Sequence, residues 1–120
     1  RKNNEDILPD TPLSEVEKML ENVDADVVLC GHTHIPCGFQ TESRKTVVNA
    51  GSIGRTFFVE PNSYPKACYL IIEVDNGSCV FQHQFVEYDK EQASEKLAAR
   101  EFEGADKLAG MLINPEIRHF

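Results

Sequence analysis

The sequence predicts a mixed α/β (α+β) domain, and three observations carry that expectation. An apolar stripe at helical spacing, Leu13, Val16, Met19, Leu20 and Val23, leads into a continuous apolar run, Val27-Val28-Leu29-Cys30. Such a run suits a strand buried on both faces and entered directly from a helix. Farther on, Asp75-Asn76-Gly77-Ser78 separates two long strand-like segments, and Asn-Gly favours a primed hairpin turn. Helical patterning returns after residue 88.

The elements follow in order. Residues 1–10, RKNNEDILPD, are polar and aperiodic and read as a loop or a severed end. Thr11-Pro12 opens the first helix, with threonine as N-cap and proline at the first helical position. Asp24-Ala25-Asp26 closes it. After the strand at 27–30 and a GHTHIP loop come short strands near 38–41 and 46–49, a hairpin turning at 42–45. Asn49-Ala50-Gly51-Ser52-Ile53-Gly54 is a glycine-containing loop, and 60–66 is rich in turn formers. The strand at 67–74 then pairs through the Asn-Gly turn with 79–88. That second strand alternates, with Cys79, Phe81, His83 and Phe85 on one side, which reads as core packing. Asp89 caps a helix to about Arg100, with Gln92 as capping-box partner. A short helix over 105–111 precedes the tail INPEIRHF.

A chain of 120 residues makes one small domain, 1–120, with its helices and tail in 89–120. Apolar residues at 41% and charged residues at 27% fit a folded globular chain. A net charge of −8 disfavours nucleic acid, which needs a basic stripe. It leaves room for a phosphorylated small molecule, because bound cations can dominate the local field. The longest apolar runs are too short to cross a bilayer, so no membrane association is expected. Cys30, Cys37, Cys68 and Cys79 mostly sit in apolar strand-like runs. They read as buried thiols in a reducing compartment, hence a cytoplasmic protein.

The chemistry concentrates in residues 30–37, CGHTHIPC. In an extended segment His32 and His34 would point the same way, about 6.6 Å apart. Two imidazoles so placed reach either one metal ion or two ions about 3.5–4 Å apart, the spacing of two-metal hydrolytic sites. A turn merely rich in ligand-type side chains stays open beside these. Carboxylates to complete a site are scarce. Asp24 and Asp26 lie at the far end of the strand, roughly 16–20 Å away, and nothing in the spacing of Glu42 or Glu60 singles them out. A compact zinc site of Cys30, His32, His34 and Cys37 is a rival, with unusually compressed ligand spacing.

The stretches DADVVLCGHTHIPCGFQ and VVNAGSIGR together resemble the C-terminal half of a calcineurin-like metallophosphoesterase, closest to its small phosphodiesterase-like members. The shared features are G-H-x-H at Gly31–His34, then N-x-G-S at Asn49–Ser52, a strand pair and a C-terminal helix. The resemblance implies the second half of a four-layer αββα sandwich. It implies that His32 ligates one metal of a dinuclear centre and His34 the other, the metals being manganese, iron, zinc or nickel. It also implies attack on phosphorus by a metal-bound hydroxide. Asn49, Gly51 and Ser52 would shape a loop beside the site, with backbone amides available to an anion, and Arg55 would meet a substrate phosphate. The family's D-x-H, G-D-x-x-D and G-N-H-D/E motifs are absent from these 120 residues. The expectation is therefore a partial site, inactive alone, whose partner is the missing N-terminal half of the domain. The alternative is a scaffold or protein-binding module of the same fold, with exposed strands favouring a homo-oligomer. His83, between Phe81 and Phe85, is expected to be a hydrogen-bonded sheet histidine, and His119 a solvated one.

Overall fold

The computed structural model describes residues 6–57 and 66–115. The expectations for residues 1–5, Glu60, the tail beyond 115 and His119 lie outside the described residues. The chain order is α1 (Leu13–Met19), β1 (Val27–Cys30), β2 (Cys37–Gln40), β3 (Thr46–Asn49), β4 (Ala67–Asp75), β5 (Ser78–Val86), α2 (Lys90–Ala98) and α3 (Ala105–Ile113). The mixed α/β expectation holds.

One sheet has the order β1-β3-β2. β1 runs parallel to β3, with Val28 opposite Val47, and β2 runs antiparallel to it, with Phe39 opposite Val47. The row Val28–Val47–Phe39 therefore shares one face, which α1 covers. Val16, Leu20 and Val47 are its buried centre, with Ile7, Val23, Val28, Cys30 and Phe39 packed around them. Burying each such aliphatic side chain stabilises the fold by about 1.5–3 kcal/mol. Polar contacts hold α1 in place. The Ser43 amide donates to Glu17 Oε1 at 3.0 Å, and Lys45 Nζ donates to the carbonyls of Leu20 and Val23 beyond the helix end.

Two local expectations are corrected here. Pro12, not Thr11, occupies the N-cap of α1, and no side chain caps it. The Thr11 hydroxyl instead accepts from the Leu8 amide at 2.8 Å, closing the preceding turn. β1 is not buried on both faces either. It is an edge strand, and Leu29, opposite in direction to the α1-facing residues, is 54% exposed.

β4 and β5 form a separate antiparallel ribbon with Asp75 opposite Ser78. Asn76 and Gly77 both take positive φ, 45° and 78°, as a type I′ turn requires. The expected core face of β5 is mostly solvent-facing. Cys79 is exposed and Phe85 is 56% exposed, with only Phe81 and His83 half-buried. Alternation specifies which side chains share a face but not whether that face is covered. Asp89 caps α2 as expected, its carboxylate accepting from the Gln92 amide at 2.9 Å. α3 folds back on α2, where Ser94 Oγ donates to the Ala109 carbonyl at 2.8 Å.

Candidate metal centre

Because β1 and β3 are neighbouring parallel strands, the segments that follow them leave the sheet at the same end. The first carries Gly31–His34, the second Asn49–Arg55. Carboxyl ends of adjacent parallel strands are where such sheets place ligand sites. The same topology puts Asp24, Asp26 and Glu42 at the opposite end, beyond the Val27–Thr46–Gln40 row.

Asn49 fastens the two loops together. Its side chain is 1% exposed. Nδ2 donates to the Gly31 carbonyl at 3.0 Å and to Thr33 Oγ1 at 2.9 Å. Its Oδ1 accepts from the Gly51 amide at 2.9 Å. Thr33 is buried and also accepts from the Ile35 amide at 3.4 Å, so it points inward between the two histidines. This corrects one expected role of the loop. The Gly51 amide is engaged by Asn49, and the Ala50 amide donates to the Cys30 carbonyl at 3.3 Å, so neither is offered to an anion.

The Gly31–His34 segment is not extended. His32 and His34 have φ of 71° and 64°, in the left-handed region. The Thr33 amide donates to the Gly31 carbonyl at 2.8 Å, a three-residue turn centred on His32. Turns of this kind with positive φ are rare and strained. Left-handed non-glycine residues cluster at functional sites, where surrounding contacts hold them. Here Asn49 supplies those contacts. The spacing estimate for an extended strand therefore does not apply, and the two imidazoles have different surroundings. The His32 side chain is 87% exposed, with Nε2 at 3.7 Å from Asp6 Oδ1. His34 is half-buried, its ring stacked on Phe57 with centroids 5.9 Å apart.

Gly51 has φ of 79°, and a Cβ there would lie 3.0 Å from Cys68 Sγ and 3.1 Å from Cys68 Cβ. This glycine lets the loop pass tightly under β4, where the Cys68 amide donates to the Ser52 carbonyl at 2.8 Å. Ser52 Oγ accepts from the Arg55 amide at 3.0 Å, and the exposed Arg55 guanidinium sits 5.7 Å from the Phe57 ring centre. His34, Phe57 and Arg55 thus form a continuous series of contacts at the mouth of the two loops. Phe57 carried no sequence signal, since its role depends on where the loop returns.

The compact zinc site is not formed. Cys30 and Cys37 lie on either side of Asn49 in one row across β3, two strand spacings or roughly 9.5 Å apart. Burial pushes the Cys37 thiol up to about 11, and Cys30 nearby adds to the shift. Among the described residues no three His, Cys, Asp or Glu side chains gather as a metal-binding group. The donor chemistry of His32 and His34 fits a borderline divalent ion. Two imidazoles alone could fill only part of such an ion's coordination sphere. All four cysteines are free thiols, and among the described residues no helix is long and apolar enough to cross a membrane.

A model of the calcineurin-like phosphoesterase superfamily domain matches residues 8–77. This span contains α1, the three-stranded sheet, both motif loops, β4 and the hairpin turn. No curated protein gives a match.

Proposed function

Because the chain belongs to the calcineurin-like phosphoesterase superfamily, whose members are generally metal-dependent, we propose that it serves hydrolysis of a phosphodiester in a phosphorylated small molecule. His32 and His34 would each hold one of two divalent cations, drawn from manganese, iron, zinc and nickel. Such ions, when bound, polarise a phosphoryl oxygen and acidify water. The remaining ligands come from outside the described residues, since two imidazoles do not complete a site.

The observation carrying this reading is the convergence of the two motif loops at one end of β1 and β3, fastened by the buried Asn49 side chain. Each residue then has a task. His32 presents an exposed imidazole to an ion, and Phe57 keeps the His34 ring in place. Asn49 holds the strained turn, while Gly51 and Ser52 set the path of the second loop. The exposed Arg55 guanidinium, 5.7 Å from the Phe57 ring centre, would meet phosphate oxygens bidentately.

The test starts from the reading frame upstream of Arg1. A longer chain carrying D-x-H, G-D-x-x-D and G-N-H in order should hydrolyse bis(p-nitrophenyl) phosphate with added manganese. His34→Ala in that chain should lower kcat/KM by at least ~100-fold. The 120 residues alone should show no hydrolysis. Manganese-dependent turnover by the 120 residues, or an unchanged rate in the variant, overturns the proposal. The exposed apolar side chains Val74, Val80, Phe85 and Val86 of the ribbon support the scaffold alternative, in which copies of the chain associate. A monomer at high concentration in sedimentation equilibrium would remove that alternative.

A further inference from the structure

The β4–β5 ribbon meets the motif loops at His83, and we infer that His83 is a positioning residue that sets the Gly31–His34 turn through Asn49. His83 stands opposite Leu70 in the middle of the ribbon and is half-buried. Its Nε2 lies 2.7 Å from the Asn49 carbonyl oxygen. A carbonyl only accepts, so Nε2 carries the proton and donates. The same Asn49 is the residue whose side chain grips Gly31 and Thr33 on one loop and Gly51 on the other.

The geometry makes the carbonyl bond more than a sheet contact. Asn49 is the last residue of β3, where ladder pairing to Cys30 and Cys37 ends. Beyond it the chain turns into the glycine loop; the peptide that follows is held on its N–H side by the Ala50 bond to the Cys30 carbonyl at 3.3 Å, and its carbonyl side takes a contact from outside the three-stranded sheet. His83 supplies that contact from the ribbon, and the Cys68 amide bond to the Ser52 carbonyl supplies another three residues on. Rotation of the Asn49 peptide would redirect the Asn49 side chain, and with it the hydrogen bonds that hold His32 and His34 in the left-handed region. The catalytic consequence rests on the proposed metal role of those histidines. The positional claim does not.

The test uses backbone amide hydrogen exchange of the chain, measured by NMR on His83→Phe and His83→Gln. Phenylalanine keeps the ring and removes the donor, whereas the glutamine amide nitrogen reaches about as far as imidazole Nε2. In His83→Phe the Thr33 and Gly51 amides should exchange ~10-fold faster, as expected on losing one hydrogen bond that orders them. The Val47 and Val48 amides in β3 should change by less than about twofold, and His83→Gln should restore the slow exchange. Unchanged Thr33 and Gly51 exchange overturns the inference. So does equal acceleration throughout β3, glutamine behaving like phenylalanine, or failure of His83→Phe to fold, each of which makes His83 a general stability residue. A zinc titration of the longer wild-type chain that would carry the remaining ligands, read at the His32 and His34 ring nitrogens, separates the two claims. Absent zinc shifts with the expected exchange pattern would remove the metal role and leave the positioning role standing.

Discussion

Replacing Asn49 with alanine tests the fastening of the two loops. The substitution removes three hydrogen bonds at 2.9–3.0 Å from a side chain that is 1% exposed. Each contributes about 1 kcal/mol net; the Gly51 amide loses its acceptor, while the Gly31 carbonyl keeps the Thr33 amide at 2.8 Å. The expected loss is about 3–4 kcal/mol, a large share of the stability of a domain this size. Urea unfolding followed by circular dichroism reads it directly. With a slope of about 1.3 kcal/mol/M, the midpoint should fall by roughly 2–3 M. Asn49→Asp keeps the shape and the Gly51 contact but turns an acceptor toward the Gly31 carbonyl, so it should lose about 2 kcal/mol. Gln40→Ala, at an exposed position in the same sheet, should stay within ~0.5 kcal/mol. Asn49→Ala within ~0.5 kcal/mol of wild type, or a fully stable Asn49→Asp, would refute the reasoning.

Gly51→Ala should cost about 2–4 kcal/mol, from a left-handed backbone and a Cβ 3.0 Å from Cys68 Sγ. Gly54→Ala, which meets open space, should cost less than about 1 kcal/mol in the same urea unfolding. The Cys37 thiol, raised to about 11 chiefly by burial, favours the fold while it is protonated. Its contribution is therefore fully present below the ordinary thiol value of 9.0 and is lost as pH rises through about 11. Melting temperatures between pH 8 and 11 should fall less steeply in Cys37→Ala than in wild type. With iodoacetamide at pH 8, exposed Cys79 should be alkylated before Cys37, whose thiolate fraction there is about one in a thousand.

Local signals in the sequence carried much of the fold. The span of β3, the Asn76-Gly77 turn and the Asp89 cap depend on neighbours within a few residues, and each appears where expected. Val16 and Leu20 occupy the buried part of the helical stripe for the same reason. The misreadings involve tertiary context. Thr11 had two backbone amides within reach, and the preceding turn took its hydroxyl. Leu29 belongs to an apolar run but sits on an edge strand, and only the pairing order decides its exposure. At the candidate site, spacing identified His32 and His34 as residues to watch, yet it assumed an extended chain. The sign of φ is set by the Thr33–Gly31 turn and the Asn49 bonds, the latter 16 and 18 residues away. The stacking of Phe57 on His34 and the His83 bond to Asn49 are likewise products of how the chain returns.

The metal role of the two histidines is tested most directly by titrating the longer chain, which would carry the remaining ligands, with zinc and following the imidazole nitrogens by NMR. His32 and His34 should shift together and saturate, while His83, whose Nε2 is engaged by the Asn49 carbonyl, should stay in place. The double variant His32→Ala, His34→Ala should abolish the saturable binding. Zinc that leaves both rings unshifted, or binds equally well to the double variant, would contradict their assignment as ligands.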